Sequence, residues 1–264
     1  MITGHTKIYA IISDPVAHVR TPEAFNEFFA QRNCDAVLIP LHVAPEGLEA
    51  VLTGFRAMKN LGGFVATVPH KTAMAARCDE LGDAGRAIGS VNAVRREADG
   101  RLIGNMFDGA GFVAGLRAQG HEPAGRRALL VGAGGAASAI AFALAEAGVA
   151  ALTISNRTRS KAEGLMARVG KYFPDRPIRV GAADPTGHDL VINATSLGLK
   201  AGDPLPLDTA RLTPSMIVAE IIMKPETTSL LAAAKAKGAT VHYGRHMLDQ
   251  QIPLIADFFG ATKS

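Results

Sequence analysis

Cysteine is scarce: Cys34 and Cys78 are the only two in 264 residues, with no C-x-x-C and no metal-ligand spacing. They read as small hydrophobes of a reducing compartment rather than as a disulfide or metal framework. Charge of one sign is missing too, since no Lys/Arg run exceeds two residues and 28 basic against 24 acidic side chains leave a net charge of +4. An excess so small and dispersed is no nucleic-acid footprint, and it suits an anionic small molecule. No stretch approaches the roughly 18 apolar residues of a membrane span, and the first seven residues form no apolar signal segment. These absences predict a soluble, cytoplasmic protein with no membrane and no nucleic-acid partner. What is present, 48% hydrophobic and 20% charged residues, is globular composition. The length allows one large domain or two of ordinary size.

Residues 128–148 organise the chain: an apolar strand ending at Val131, a turn through Gly132, Gly134 and Gly135, and an alanine-rich helix. Gly132 and Gly134 let the backbone turn sharply and admit a pyrophosphate at the helix N-terminus, where free N–H groups and the helix dipole favour an anion. Ala136 and Ala137 keep the turn small enough for helix and strand to pack. The motif follows a strand and opens a helix, as a dinucleotide site requires, although a plain βα turn can carry the same glycines. An NAD site has an acidic residue about 20 positions after the first glycine. Here that place holds Asn156, Arg157, Thr158 and, four residues after Arg157, Lys161. Arg157 can stack on an adenine or pair with a 2′-phosphate, so NADP is expected, with NAD as the alternative. The other reading is a solvated helix start, yet cations there oppose the dipole unless an anion visits.

The rest of the chain reads as α/β. Strands are expected at 7–13, 36–43 and 64–68, with helices from Thr21-Pro22, as N-cap and first helical residue, and from Leu48 to a stop at Gly62-Gly63. Residues 91–96 and 101–106 flank the turn Ala98-Asp99-Gly100 as a β-hairpin. The segment Gly120–Gly125 is the best boundary in the composition. Beyond it, strands at 151–155, 178–180, 189–193, 216–222 and 240–244 and a terminal helix from Arg245 suit a parallel doubly wound sheet.

Two polar pairs could carry chemistry. Lys71 and Asp108 stand where elements change, and Lys71 could move a proton of a substrate hydroxyl with Asp108 orienting it. Taken alone, Lys71 is more often a surface lysine and Asp108 more often a helix N-cap. His242 and His246 have an H-x-x-x-H spacing that straddles a strand end and a helix start with no third ligand in reach, so no metal is expected. His70 reads as a structural residue.

Taken together, Asp14-Pro15 with His18, Thr67-Val-Pro-His-Lys71, Ser90-Val-Asn92-Ala, Asp108-Gly109, Gly132-Ala-Gly-Gly-Ala136, Asn156-Arg-Thr158, Asn193-Ala-Thr-Ser196 and Met247-Leu248 with Gln251 occur in the order of the shikimate dehydrogenase family, which the chain resembles over nearly its whole length. The resemblance implies an N-terminal α/β substrate domain, residues 1–109, and a Rossmann-type NADP-binding domain, residues 110–244, with the active site in the cleft between them. The terminal helix, 245–264, would pack back on the first domain. It implies Lys71 and Asp108 as the catalytic pair, and Thr21, Thr67, Asn92 and Gln251 as substrate contacts. The cofactor would sit on Gly132, Gly134, Gly135, Ala136, Asn156, Arg157, Thr158 and Lys161, no metal would be used, and the protein would be a monomer or homodimer. The chemistry implied is reversible hydride transfer between a nicotinamide and the carbon bearing a ring hydroxyl, as between shikimate and 3-dehydroshikimate.

The departures lie in the substrate pocket that the resemblance implies. Val19 and Thr21 stand where the family has two serines, Val65 replaces an asparagine, Met223 a tyrosine, and Met106 and Phe107 smaller polar residues. Each swap removes a hydrogen-bond partner, worth about 1–3 kcal/mol where a polar group is left facing it. They keep open a quinate- or aminoshikimate-type dehydrogenase, or a low-turnover binding protein. Arg20 could pair with a carboxylate or be a solvated loop cation.

Overall fold

The computed structural model describes residues 2–17 and 19–261. Two compact units divide the chain: Met1–Phe107 with Gln251–Ser264, and Asp108–Gln250.

In the first unit β1 (Lys7–Ser13), β2 (Ala36–His42) and β3 (Leu61–Ala66) run parallel, joined by α1 (Thr21–Gln31) and α2 (Leu48–Ala57). The hairpin of β5 (Ala93–Arg96) and β6 (Leu102–Asn105) adds antiparallel to β3, and the two-residue β4 (Glu80–Leu81) closes the order β2-β1-β3-β5-β6-β4. Between β3 and β5 lie two short helices, α3 (Lys71–Ala75) and α4 (Asp83–Ile88). Apolar residues at helical spacing turn α1 inward through Phe25, Phe28 and Phe29, onto Tyr9 and Phe259. Leu48, Leu52 and Phe55 do the same for α2 against Phe64. Such buried faces are what hold short helices on a sheet.

Two sequence expectations are corrected here. Thr21 is the first helical residue and Arg20 the N-cap position, with no side-chain cap. Proline lacks an N–H and fits any first-turn position, so Pro22 could not fix the cap. Gly62 and Gly63 do not stop α2, which ends at Ala57, but lie inside β3. A Cβ on Gly62 would stand 2.7 Å from the Tyr9 ring and hydroxyl, and one on Gly63 would stand 2.6 Å from the Val94 carbonyl oxygen. These glycines serve close approach rather than a turn.

The second unit carries an all-parallel sheet of β7 (Arg127–Val131), β8 (Ala151–Ser155), β9 (Ile178–Val180), β10 (Leu190–Asn193), β11 (Ile217–Glu220) and β12 (Thr240–His242), in the order β12-β11-β10-β7-β8-β9. Its helices are α5 (Asp108–Ala118), α6 (Gly135–Glu146), α7 (Arg159–Tyr172), α8 (Ser229–Ala236) and the start of α9 (Arg245–Phe258), whose residues from Gln251 onward belong to the first unit. The first and fourth strands of this unit, β7 and β10, lie side by side, which is the switch point of a doubly wound sheet. The glycine-rich segment at 120–125 is a turn within this unit, because α5 packs on α6 so closely that Gly109 sits against the Ala139 carbonyl. Among the described residues no helix is long and apolar enough to cross a membrane.

Candidate active site

Ligand groups in parallel sheets gather at the carboxyl ends of strands, and in the first unit that end is tightly knitted. Ser13, fully buried at the end of β1, donates its hydroxyl to the carbonyls of Pro15 and Val68, at 2.9 and 3.0 Å. The Asp14 N–H reaches Val68 O, and the Thr67 N–H reaches Ile12 O. Thr67 therefore leaves β3 on a fixed path. Three residues on, His70 is buried with Nε2 hydrogen-bonded to the Val43 carbonyl at 2.7 Å, which makes it structural, as expected. Lys71 follows, half-buried, as the first residue of α3.

Asn92 is brought to the same place by backbone pairing. The Val91 N–H donates to the Lys71 carbonyl at 2.9 Å, and the Ala66 N–H to the Asn92 carbonyl at 2.8 Å. The buried Asn92 side chain accepts from the Phe107 N–H at 2.9 Å, which orients the chain one residue before Asp108. Thr67, Lys71 and Asn92 are thus assembled by a few shared hydrogen bonds, although 25 residues separate the first from the last. Thr21 stands half-buried at the start of α1, at the end of the loop that Ser13 braces. Gln251 is half-buried on α9, and Asp108 opens α5, buried within the second unit. His18 lies outside the described residues. Val65 and Met106 are buried, Phe107 packs on Phe258 at 5.2 Å between ring centres, and Met223 is exposed.

In the second unit Gly132 turns out of β7 with φ +124, and a Cβ there would stand 2.6 Å from the Ala194 carbonyl oxygen beyond β10. No residue with a side chain fits that switch point without strain. Gly134 is the N-cap position of α6 and Gly135 its first residue; both are exposed, with no side-chain cap and open space where a Cβ would be. Ala136 is half-buried and Ala137 fully buried against the sheet. The uncapped N–H groups and the dipole of α6 thus face open space, as a pyrophosphate requires. Past β8, Asn156 donates to the Thr158 carbonyl at 2.9 Å and shapes the turn into α7. Arg157, Thr158 and Lys161 are exposed there, and among the described residues neither Arg157 nor Lys161 pairs with a carboxylate, whereas Arg159 is bound by Glu163. Two cations that no carboxylate pairs among the described residues fit a 2′-phosphate.

One structural centre was not singled out in the sequence. Glu220, fully buried at the end of β11, accepts from Asn193 Nδ2, the Thr228 hydroxyl and the N–H groups of Ile221 and Ile222. Burial pushes its carboxyl above the ordinary range against those hydrogen bonds. Asn193 in turn accepts from Thr195 and donates to the Leu197 carbonyl. Glu220 thereby fixes the loops that leave β10 and β11 beside the switch point. An acidic residue closing an apolar strand was its only signal in the sequence. His242 and His246 bring their Nδ1 atoms to 3.3 Å, but among the described residues no three metal-ligating side chains converge.

A parallel sheet with a glycine turn at its switch point, an open helix N-terminus and a cationic edge past the second strand are the features of a dinucleotide-binding domain. Family models match residues 11–94 as a shikimate dehydrogenase substrate binding domain and residues 116–197 as shikimate / quinate 5-dehydrogenase. A shikimate dehydrogenase (NADP(+)) of Rubrobacter xylanophilus is 41% identical over 254 residues, covering 94% of this chain and 88% of that protein. Among solved structures, the 5-ketofructose reductase of Gluconobacter sp. strain CHM43 superposes with TM-score 0.90 at 35% identity, covering 97% and 94% of the two chains. The shikimate 5-dehydrogenase of Thermus thermophilus, solved with NADP(H) and shikimate, superposes with TM-score 0.87 at 30% identity, covering 96% and 93%. The chain belongs to the shikimate dehydrogenase family, and it is accordingly an NAD(P)-dependent oxidoreductase.

Proposed function

We propose that this chain interconverts shikimate and 3-dehydroshikimate with NADP, using Lys71 and Asp108 for proton transfer. The observation that carries the reading is the assembly of Thr67, Lys71 and Asn92 by backbone pairing at the carboxyl end of β3, where the family motif requires them. Bound NADP would supply the hydride acceptor in one direction and the donor in the other. The protein's own part is the proton. As the alcohol is oxidised, the Lys71 amine takes the hydroxyl proton, and in reduction its ammonium returns that proton to the carbonyl oxygen. Asp108, the other member of the pair that the family motif implies, would orient the lysine or share the proton. The hydroxyls of Thr21 and Thr67 and the amides of Asn92 and Gln251 hold the ring hydroxyls and the carboxylate, which sets the reacting carbon in place. Gly132, Gly134, Gly135 and Ala136 receive the pyrophosphate, while Asn156, Arg157, Thr158 and Lys161 receive the adenosine end.

A second reading keeps the same proton chemistry on another alcohol. It is favoured by buried Val65 and Met106, which offer no hydrogen bond where the family places polar groups, and by the likeness to a 5-ketofructose reductase. Initial rates of NADP⁺ reduction with shikimate, quinate and uncharged polyols separate the two. Shikimate as the best substrate supports the main reading, and a polyol turned over faster by tenfold or more replaces it. Light scattering on the same preparation tests the expectation of a monomer or homodimer.

A further inference from the structure

At the amino ends of β1, β2 and β3, the edge opposite Thr67, the first unit contains a cavity of about 990 Å³. Small-molecule sites run to roughly 300–1,000 Å³, so this one is large enough for an organic ligand. It opens at Lys7, the first residue of β1, whereas Thr67 pairs with Ile12 near that strand's other end. At about 3.3 Å per residue, some five residues of strand separate the two places by roughly 17 Å.

The lining is cationic, with Lys7, Arg32, Lys59, Arg95 and Arg96 against Asp35 and Glu97. Among the described residues, Arg95 alone of these cations is paired with an acid, Glu97 at 2.7 Å. The Arg96 guanidinium donates to the main-chain carbonyls of Phe55, Arg56 and Glu97, and among the described residues it makes no ion pair. Among the described residues Lys7, Lys59 and Arg32 make no ion pair, and Arg32 lies over the Phe28 ring at 3.9 Å. Asp35 accepts a hydrogen bond from Thr6, at 2.7 Å.

The floor of the cavity adds a neutral donor. Tyr9 is 4% exposed and stacked on Phe259, and its hydroxyl has no hydrogen-bond partner among the described residues. Burial, with Cys34 nearby, pushes its hydroxyl up to about 12, so it stays a donor throughout the physiological range. The room its ring occupies exists only because residue 62 is glycine. Uncompensated like charges around a concave surface repel one another and focus a positive potential into it. An anion relieves that repulsion and gives the Tyr9 hydroxyl an acceptor.

We propose that this cavity is a second ligand site, distinct from the candidate active site, for a small organic anion carrying two or more carboxylate or phosphate groups. Lys7, Lys59, Arg32 and Arg96 bind the charged groups, and Tyr9 donates from below. The site is independent of the substrate assigned above.

Calorimetric titration of the whole chain with citrate and, separately, with pyrophosphate tests this, at constant ionic strength and with saturating NADP⁺ to occupy the dinucleotide site. Alkylation of Cys34, which lines the cavity, is read by mass spectrometry in parallel. At least one probe is expected to bind with a Kd below about 10 mM and to slow Cys34 alkylation. Lys7→Glu and Lys59→Glu, both at exposed positions, should each weaken that binding about tenfold. Lys71→Ala should leave it unchanged. Citrate alone identifies a carboxylate ligand, and pyrophosphate alone a phosphate ligand. No binding by either probe, binding that survives both charge reversals, or binding lost with Lys71→Ala overturns the proposal.

Discussion

The proton-transfer role proposed for Lys71 falls to it rather than to the neighbouring histidine, whose ring is bonded to the Val43 carbonyl under the start of α3. Lys71→Ala should lower kcat by roughly 10²–10⁴-fold, the range of a positioned acid–base group, while the thermal midpoint stays near that of the parent protein. Turnover within a factor of a few of the parent would remove Lys71 from the mechanism. In the second unit, Arg157 and Lys161 are exposed and among the described residues pair with no acid side chain. Arg157→Ser is expected to raise the KM for NADP⁺ about tenfold and to leave that for NAD⁺ nearly unchanged, because only the former has a 2′-phosphate to lose. Equal effects on both cofactors would mean that Arg157 meets the adenine instead.

At the scale of elements, the proposed dinucleotide site rests on the turn from β7 into α6 and on the loops after β10 and β11. Gly132→Val places a branched side chain at φ +124 against the Ala194 carbonyl. It should cost about 1–3 kcal/mol in denaturant titrations and abolish NADPH binding. Glu220→Ala leaves Asn193, Thr228 and the N–H groups of Ile221 and Ile222 without their shared acceptor. A loss of about 3 kcal/mol is expected, with Glu220→Gln recovering part of it. An unchanged unfolding midpoint in either case would refute the structural role assigned.

The elements themselves were largely legible. Strands such as Ile178–Val180 and Ala151–Ser155, and the hairpin around Ala98-Asp99-Gly100, follow from apolar runs and turn residues that act over a few positions. What was not legible depends on partners far away in sequence. The glycines of β3 look like a helix stop until the Tyr9 and Phe259 rings are seen above them. The two-residue β4 carries no period to read. The site divides the same way. The glycine turn announces itself locally, whereas Thr67, Lys71 and Asn92 are joined by pairing between β3 and β5 and were connected in the sequence only through the family resemblance.

For the whole molecule, the buried imidazole of His242 ties stability to acid pH. His242 is fully buried, its Nε2 has no partner among the described residues, and burial, with His246 and His121 nearby, pulls its ring down to about 3. In the unfolded chain the same ring takes a proton near 6.5, so below that pH the unfolded state binds the extra proton. Its contribution to stability is complete above about pH 6.5 and is lost as the pH falls toward 3, with a slope of up to about 1.4 kcal/mol per pH unit. Glu220, raised by burial, works in the opposite sense: its contribution is complete below its unfolded value and is lost as the pH rises through the folded one. His242→Phe should flatten the acid limb of a stability-against-pH curve, and an unaltered limb would show that the imidazole is not its source.

Pairing a substrate unit with a dinucleotide unit matters only if the two together turn over a ring alcohol. The most direct measurement is the initial rate of NADP⁺ reduction by the purified chain with shikimate, beside its Lys71→Ala variant and with NADPH binding measured on both proteins. Rapid turnover by the parent chain, its loss in the variant and unchanged NADPH binding in both are the expected result. No turnover of shikimate by a parent chain that binds NADPH would contradict the assignment of shikimate as substrate.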